Sequence, residues 1–153
     1  MNTEITFREA ELKDLERIVE MLSDDPLGSK RERYELPLPS SYISAFKAID
    51  TDRNNELIIA ELTNQIIGVM QITFTPYITY QGGWRATIEG VRISREARGT
   101  GAGRKMIEYA VERARARGCH LIQLTTDKAR DDALRFYETL GFKATHHGMK
   151  MKL

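Results

Sequence analysis

The amino-acid sequence predicts a single-domain α/β protein, a mixed and mostly antiparallel sheet flanked by helices. Three features predict it: apolar residues at helical spacing near the start, an alternating hairpin-rich middle, and a glycine-rich run where a strand gives way to a helix. The 153 residues are close to the usual size of one domain, so one core spanning 1–153 is expected. Hydrophobic residues at 41% and charged residues at 29% describe an ordinary globular chain rather than a disordered one.

In chain order, Ile5 and Phe7 alternate with polar neighbours as a short strand does. Leu12, Leu15, Ile18, Val19 and Leu22 recur at helical spacing, and Asp24-Asp25-Pro26 ends that helix. Asp24 to Pro39 reads as a long loop broken by Gly28, Pro37 and Pro39, and Ser40 reads as the cap of a helix through Tyr42, Phe46 and Ile49. Glu56–Leu62 and Ile66–Tyr77 form a hairpin about Thr63-Asn64-Gln65, and after Gln81-Gly82-Gly83 a third strand runs from Trp84 to Ser94. Gly90 inside that strand marks a bulge or a close backbone approach. A helix from Thr100 to Arg117 ends at Gly118, and a strand spans His120–Thr126. A helix bearing Ala133, Phe136, Tyr137 and Leu140 ends at Gly141, and Phe142–Leu153 supplies one or two closing strands.

Composition excludes several classes. A net charge of +1 gives no overall field towards nucleic acid or acidic membrane, and no apolar run approaches the roughly 18 residues of a membrane helix. Met1-Asn2-Thr3-Glu4 has no basic segment leading into an apolar one, so no secretory signal is expected. The lone Cys119 excludes an internal disulfide and fits a cytoplasmic location.

The richest segment is Arg98-Gly99-Thr100-Gly101-Ala102-Gly103-Arg104-Lys105. Glycine costs about 0.5–1 kcal/mol relative to alanine in a helix, so three of them at a helix start require a compensating role. Bare N–H groups of the first turn, the positive end of the helix dipole and the nearby Arg92, Arg95, Arg98, Arg104 and Lys105 suit a diphosphate. No Walker run is present, and Gly99, Gly101 and Gly103 are spaced G-x-G-x-G rather than in the dinucleotide G-x-G-x-x-G. The pattern R-x-x-G-x-G fits Arg98, Gly101 and Gly103. A strand-to-helix junction without a ligand remains the alternative.

Val91-Arg92-Ile93 running into Arg98–Gly103, followed by Ala133-Leu134-Arg135-Phe136-Tyr137-Glu138-Thr139-Leu140-Gly141-Phe142, resembles the GNAT acetyltransferases over nearly the whole chain. The resemblance implies that fold, acetyl-coenzyme A as cosubstrate, and a primary amine as acceptor. It implies that Val91 and Ile93 pair by their backbones with the pantetheine arm. Gly99, Thr100, Gly101, Ala102 and Gly103 would hold the pyrophosphate, with Arg92, Arg98 and Arg104 around it. Two positions depart from the family pattern: Arg130 stands where many members carry Asn, and Arg95 where a proline is usual.

Transfer to an amine requires a proton acceptor, stabilisation of the thioester oxygen and a proton for the departing thiolate. Tyr137 is the candidate acid, because a phenol of pKa about 10 is protonated at neutral pH; it also reads as a packing residue. Glu89 is the candidate base through a water. Simple alternation puts it on one face with Val91 and Ile93, where apolar neighbours would raise its pKa; it reads equally as a solvated strand glutamate. A bulge could offer the N–H of Gly90 or Val91 to an oxyanion.

Cys119 lacks an adjacent base and reads as structural, and His120, His146 and His147 lack metal-ligand spacing, so no metal is expected. Asp24, Asp25, Glu32 and Glu35 form a solvated loop or attract a cationic acceptor. Tyr77, Tyr80 and Trp84 border an acceptor groove, pack the sheet or form a homodimer surface. A coenzyme A-binding sensor of the same fold is the first rival. A DNA-binding regulator is the second, and it lacks a helix-turn-helix pattern and a basic charge. The acceptor's identity is not legible.

Overall fold

The computed structural model describes residues 4–153; the start read at Met1, Asn2 and Thr3 lies outside them. Strand β1 (Thr6–Glu9) leads through a short 3-10 turn into helix α1 (Leu15–Ser23), the turn α2 (Gly28–Arg31) and helix α3 (Ser40–Thr51). Strands β2 (Asn55–Leu62) and β3 (Gln65–Pro76), the turn α4 (Thr79–Gly82) and strand β4 (Trp84–Ile93) follow. Helix α5 (Ala102–Ala116), strand β5 (Cys119–Leu124) and helix α6 (Asp131–Thr139) complete the order. The five strands lie in sequence order in one sheet. β1 to β4 are antiparallel and β4–β5 is parallel, so the expected mixed, mostly antiparallel sheet is present.

Local chemistry explains the turns. Thr63 (φ 49°) and Asn64 (φ 64°) are both left-handed, as a two-residue I′ hairpin requires. The turn α4 is left-handed at Tyr80 (φ 52°) and Gln81 (φ 60°). Within the segment expected to be all loop, the Asp25 carboxylate accepts from the Gly28 N–H and sets off α2. Ser40 does not cap α3. Pro39 occupies the cap in extended geometry, its carbonyl accepting from Tyr42 N–H at 3.1 Å, and Ser40 is already one residue inside.

The sheet is covered on both faces. Ile58, Ala60, Met70, Ile72, Phe74, Ala86 and Ile88 pack against Met106, Ile107 and Ala110 of α5. Ile59 and Val69 face the other way, onto Leu15, Ile18 and Val19 of α1 and Phe46 of α3. This period-two division is the reason β2 and β3 read as nearly continuous apolar runs. Glu56 on β2 is buried, and the Arg113 guanidinium of α5 binds its carboxylate through Nε (3.0 Å to Oε2) and Nη2.

The closing strands expected in Phe142–Leu153 do not form: the described residues hold no strand after β5. The alternating pattern is there, but a strand needs a neighbour to satisfy its backbone. In this segment the backbone makes two turn-type bonds, Phe142 N–H to Tyr137 C=O at 3.1 Å and Thr145 N–H to Lys143 C=O at 3.0 Å, and every residue from Lys143 to Leu153 is exposed.

Candidate active site

The glycine loop joins β4 to α5. Gly99 (φ 76°) and Gly101 (φ 86°) are left-handed, and a Cβ on either would meet open space within 4 Å. Their backbone therefore lies bare on the outer side, where a side chain would be strained. The first α5 hydrogen bond runs from Lys105 N–H to the Gly101 carbonyl, and no side chain caps the helix. The N–H groups of Ala102, Gly103 and Arg104 consequently have no acceptor among the described residues. Gly103 differs from its neighbours. A Cβ there would stand 3.2 Å from Phe136 Cζ, so this glycine admits α6 close against α5.

Gly90 (φ 61°) forms the expected bulge: Val69 pairs with Arg92 and Gln71 with Glu89, so Gly90 and Val91 together oppose Met70. The extra residue reverses the alternation. Val91 and Ile93 lean into the α5 side with Ile88, while Glu89 and Arg92 share the opposite face. Expecting Glu89 on one face with Val91 and Ile93 was therefore wrong, because alternation was carried straight through the bulge. Glu89 is exposed rather than enclosed by apolar neighbours.

Beyond Ile88, β4 has no partner on its β5 side, since the β4–β5 ladder ends at Ile88–Leu124. The Val91 carbonyl on this open edge accepts from Arg92 Nη1 at 2.8 Å, and that of Ile93 faces Arg98 Nε at 3.4 Å. The Ser94 N–H turns inward to the Ile67 carbonyl at 2.7 Å. The edge thus exposes the backbone of Val91 and Ile93 next to the glycine loop. Arg98, Thr100 and Arg104 are exposed around it, Arg104 only 3.9 Å from Glu108, and Ala102 is buried as the first helical residue.

Tyr137 on α6 is half-buried, edge-on to Phe136 (5.2 Å) and Phe142 (5.8 Å). Burial pushes its phenol above the usual value, while Arg92 and Arg130 pull it partly back. Its hydroxyl makes no hydrogen bond to a described residue, which leaves it available to a ligand.

Both arginines converge on Asp25. Arg130 Nη1 donates to Asp25 Oδ2, and Arg92 Nε lies 3.7 Å from the same oxygen. Burial raises the Asp25 carboxyl, and the Gly28 N–H, Arg130 and Arg92 outweigh it to leave the group below its usual range. Burial also lowers Arg92, with Arg130 adding to it. Asp25 is thus no solvated loop carboxylate; its side chain is 13% exposed. Sequence reasoning missed this cluster. The one signal was Arg130 standing in place of the family's Asn.

Other candidates resolve plainly. Asp24 pairs with Arg95 (2.8 Å), Glu35 with Arg33, and Glu32 accepts from the Tyr42 hydroxyl. Burial raises the Cys119 thiol, with Arg117 opposing, the reverse of what a nucleophile needs. His120 stacks on Tyr80 (5.2 Å), and Arg85 lies over the Tyr77 and Tyr80 rings at 4.5 and 5.0 Å. Trp84 packs against the α5-side core. Among the described residues no His, Cys, Asp and Glu group could hold a metal, and no helix is long and apolar enough to cross a membrane.

An open strand edge thus runs into a bare glycine loop at a helix start. Residues 15–142 match the acetyltransferase (GNAT) family, and the chain belongs to it. It is 32% identical over 91 residues to a glucosamine 6-phosphate N-acetyltransferase of Trypanosoma brucei brucei, a match spanning 60% of each chain. It is 26% identical over 106 residues to an aminoalkylphosphonate N-acetyltransferase of Salmonella typhimurium, covering 69% of this chain and 68% of that one. A crystal structure described as a transcriptional regulator from Bacillus halodurans C-125 is 63% identical, with a TM-score of 0.96 over 98% of this chain and 100% of that one.

Proposed function

We propose that residues 1–153 form one acetyl-CoA-dependent N-acetyltransferase domain that acetylates a primary amine by direct transfer in a ternary complex. The observation that carries this reading is the run of unclaimed N–H groups at the start of α5, opening onto the free edge of β4. Gly99 to Gly103 hold the pyrophosphate with Arg98 and Arg104 beside it, and Val91 and Ile93 pair with the pantetheine arm. The open space beside Gly99 and Gly101, into which a Cβ would project, supports this reading. Bound acetyl-CoA supplies the thioester acetyl group.

The acceptor nitrogen attacks the thioester carbonyl carbon, the C–S bond breaks, and the Tyr137 phenol gives its proton to the departing sulfur. Burial keeps that phenol protonated well past neutral pH, so the donor is in its active form across the physiological range. Glu89 receives the amine proton through water. Its place beside the bulge supports this role, and its exposure requires the water. The Gly90 and Val91 N–H groups face the developing oxyanion.

The test is thiol release from acetyl-CoA against an amine panel, with calorimetry for coenzyme A. The panel includes phosphorylated and phosphonylated amines, because two relatives are named for such acceptors and because Arg92 and Arg130 share one carboxylate. Gly101→Val is expected to weaken coenzyme A binding about hundredfold, through strain at φ 86° and a blocked backbone. Unchanged affinity would reject the diphosphate site.

A second reading has its own support in the 63% identity to a chain described as a transcriptional regulator: a coenzyme A-responsive regulatory module. Coenzyme A binding without thiol release on the whole panel, together with salt-dependent binding to duplex DNA, would favour it.

A further inference from the structure

Arg92, beyond the bulge of β4, and Arg130, at the start of α6, both lean on Asp25. Their side chains are 14% and 26% exposed and that of Asp25 is 13%, so three charges have largely left water together. One carboxylate does not satisfy two guanidinium groups. Arg92 Nε and Arg130 Nη2 are buried and have no hydrogen-bond acceptor among the described residues. The 3.7 Å from Arg92 Nε to Asp25 Oδ2 is an ion-pair distance, too long for a hydrogen bond. Buried donors left open are costly in a folded chain, and they mark a place for an acceptor from outside it.

Neighbouring charges do not fill the gap. Arg31 and Glu32 also act on Arg92 and oppose one another, and Asp24 is taken by Arg95. The group around Asp25 keeps one positive charge in excess. Arg92 and Arg130 are also the two cations whose field reaches the Tyr137 phenol. Glu89 shares with Arg92 the face of β4 turned away from α5. The candidate site is therefore polarised, with underused guanidinium groups at one end and a carboxylate at the other. Its cationic end is particular to this chain, since Arg130 stands where many members of the family carry Asn.

We infer that the acceptor is a small zwitterionic amine, its carboxylate or phosphate held by Arg92 and Arg130 while its nitrogen faces Glu89 and Tyr137. The inference rests on the proposed transfer reaction and names the class of amine that reaction takes. Asp25 holds both guanidinium groups in place before the acceptor arrives and leaves them donors for an oxyanion, whose paired oxygens match the guanidinium fork. The ammonium end brings the positive charge that Glu89 meets. A neutral amine gains nothing from the arginines, and a diamine is repelled by their excess charge.

The test compares O-phosphoethanolamine, β-alanine and ethanolamine, which differ only in the group two carbons from the nitrogen. Binding is read by calorimetry on protein saturated with coenzyme A, and turnover by thiol release from acetyl-CoA. One of the anionic amines is expected to bind at least about tenfold tighter than ethanolamine and to exceed it about hundredfold in kcat/KM. Which of the two leads distinguishes a phosphate from a carboxylate. Arg130→Gln is expected to cut the preference about tenfold, and Arg130→Lys to restore part of it, both with the wild-type far-UV circular dichroism spectrum. An anionic amine that binds without thiol release would support the anion site and reject the transfer reaction. Turnover of all three amines at equal kcat/KM would overturn the inference and leave the transfer reaction standing. Anionic amines that bind only when coenzyme A is absent would assign the arginines to the cosubstrate. That result, no binding of either anionic amine, or a preference undiminished in Arg130→Gln would each overturn the inference.

Discussion

The two sides of the sheet are finished differently. On β2 and β3, Ile58, Ile59, Ala60, Met70 and Ile72 are completely enclosed between helices from both faces. On β5 and α6 no residue reaches that state, although Ile122, Leu124, Phe136 and Tyr137 are apolar or aromatic and lean on the core. Burial on the first side is satisfied within the chain. On the second it stays incomplete among the described residues, and Tyr137, the proposed proton donor, lies there.

The largest expected effect tests the enclosed side. Arg113→Met leaves the buried Glu56 carboxylate only the more distant Arg117 guanidinium at 3.8 Å, which is expected to cost about 1.5–3 kcal/mol in chemical denaturation. Leu134→Ala on the exposed face of α6 is expected to stay within about 0.5 kcal/mol. Equal costs would erase the contrast between the two sides.

Next comes Tyr137→Phe, which removes the proton donor while keeping the ring packing against Phe136 and Phe142. A roughly hundredfold fall in kcat is expected, with coenzyme A affinity unchanged. An unaltered rate would make α6 a packing element only.

The smallest effect is in acid. On the enclosed side, burial raises the Asp14 carboxyl, but hydrogen bonds from Arg8 and the Glu11 N–H outweigh it, so its folded value lies below 3.8. A lowered folded value means that Asp14 adds stability above the unfolded pKa of about 3.9 and loses it as pH falls through the folded one. Asp14→Asn should flatten the acid limb of denaturation midpoints measured from pH 5 downwards. An unchanged limb would show that other carboxylates govern it.

The helices, the Thr63-Asn64 hairpin and the glycine loop were legible in the sequence, because each is specified by neighbours a few residues apart. Gly90 was legible as a bulge, but its effect on facing was not, since that depends on which residue of β3 is skipped. The Asp25–Arg130 pair joins residues 105 apart, and nothing local announces it. Ser40 was misplaced by one residue because its neighbour Pro39 took the cap. The tail was read as strand from its pattern alone. A pattern records which face a strand would bury but not which chain supplies the neighbour.

The kink at Gly90 has one more result. Were β4 to run through it in unbroken step from Ile88, the α5-facing row would continue to Arg92. A guanidinium would then sit in the greasy interior near Met106, and Val91 would turn out towards Asp25. One surplus residue lets the same strand switch from wall to rim, oily under the helix and cationic beside Asp25. Deleting a single amino acid there would scramble both at once.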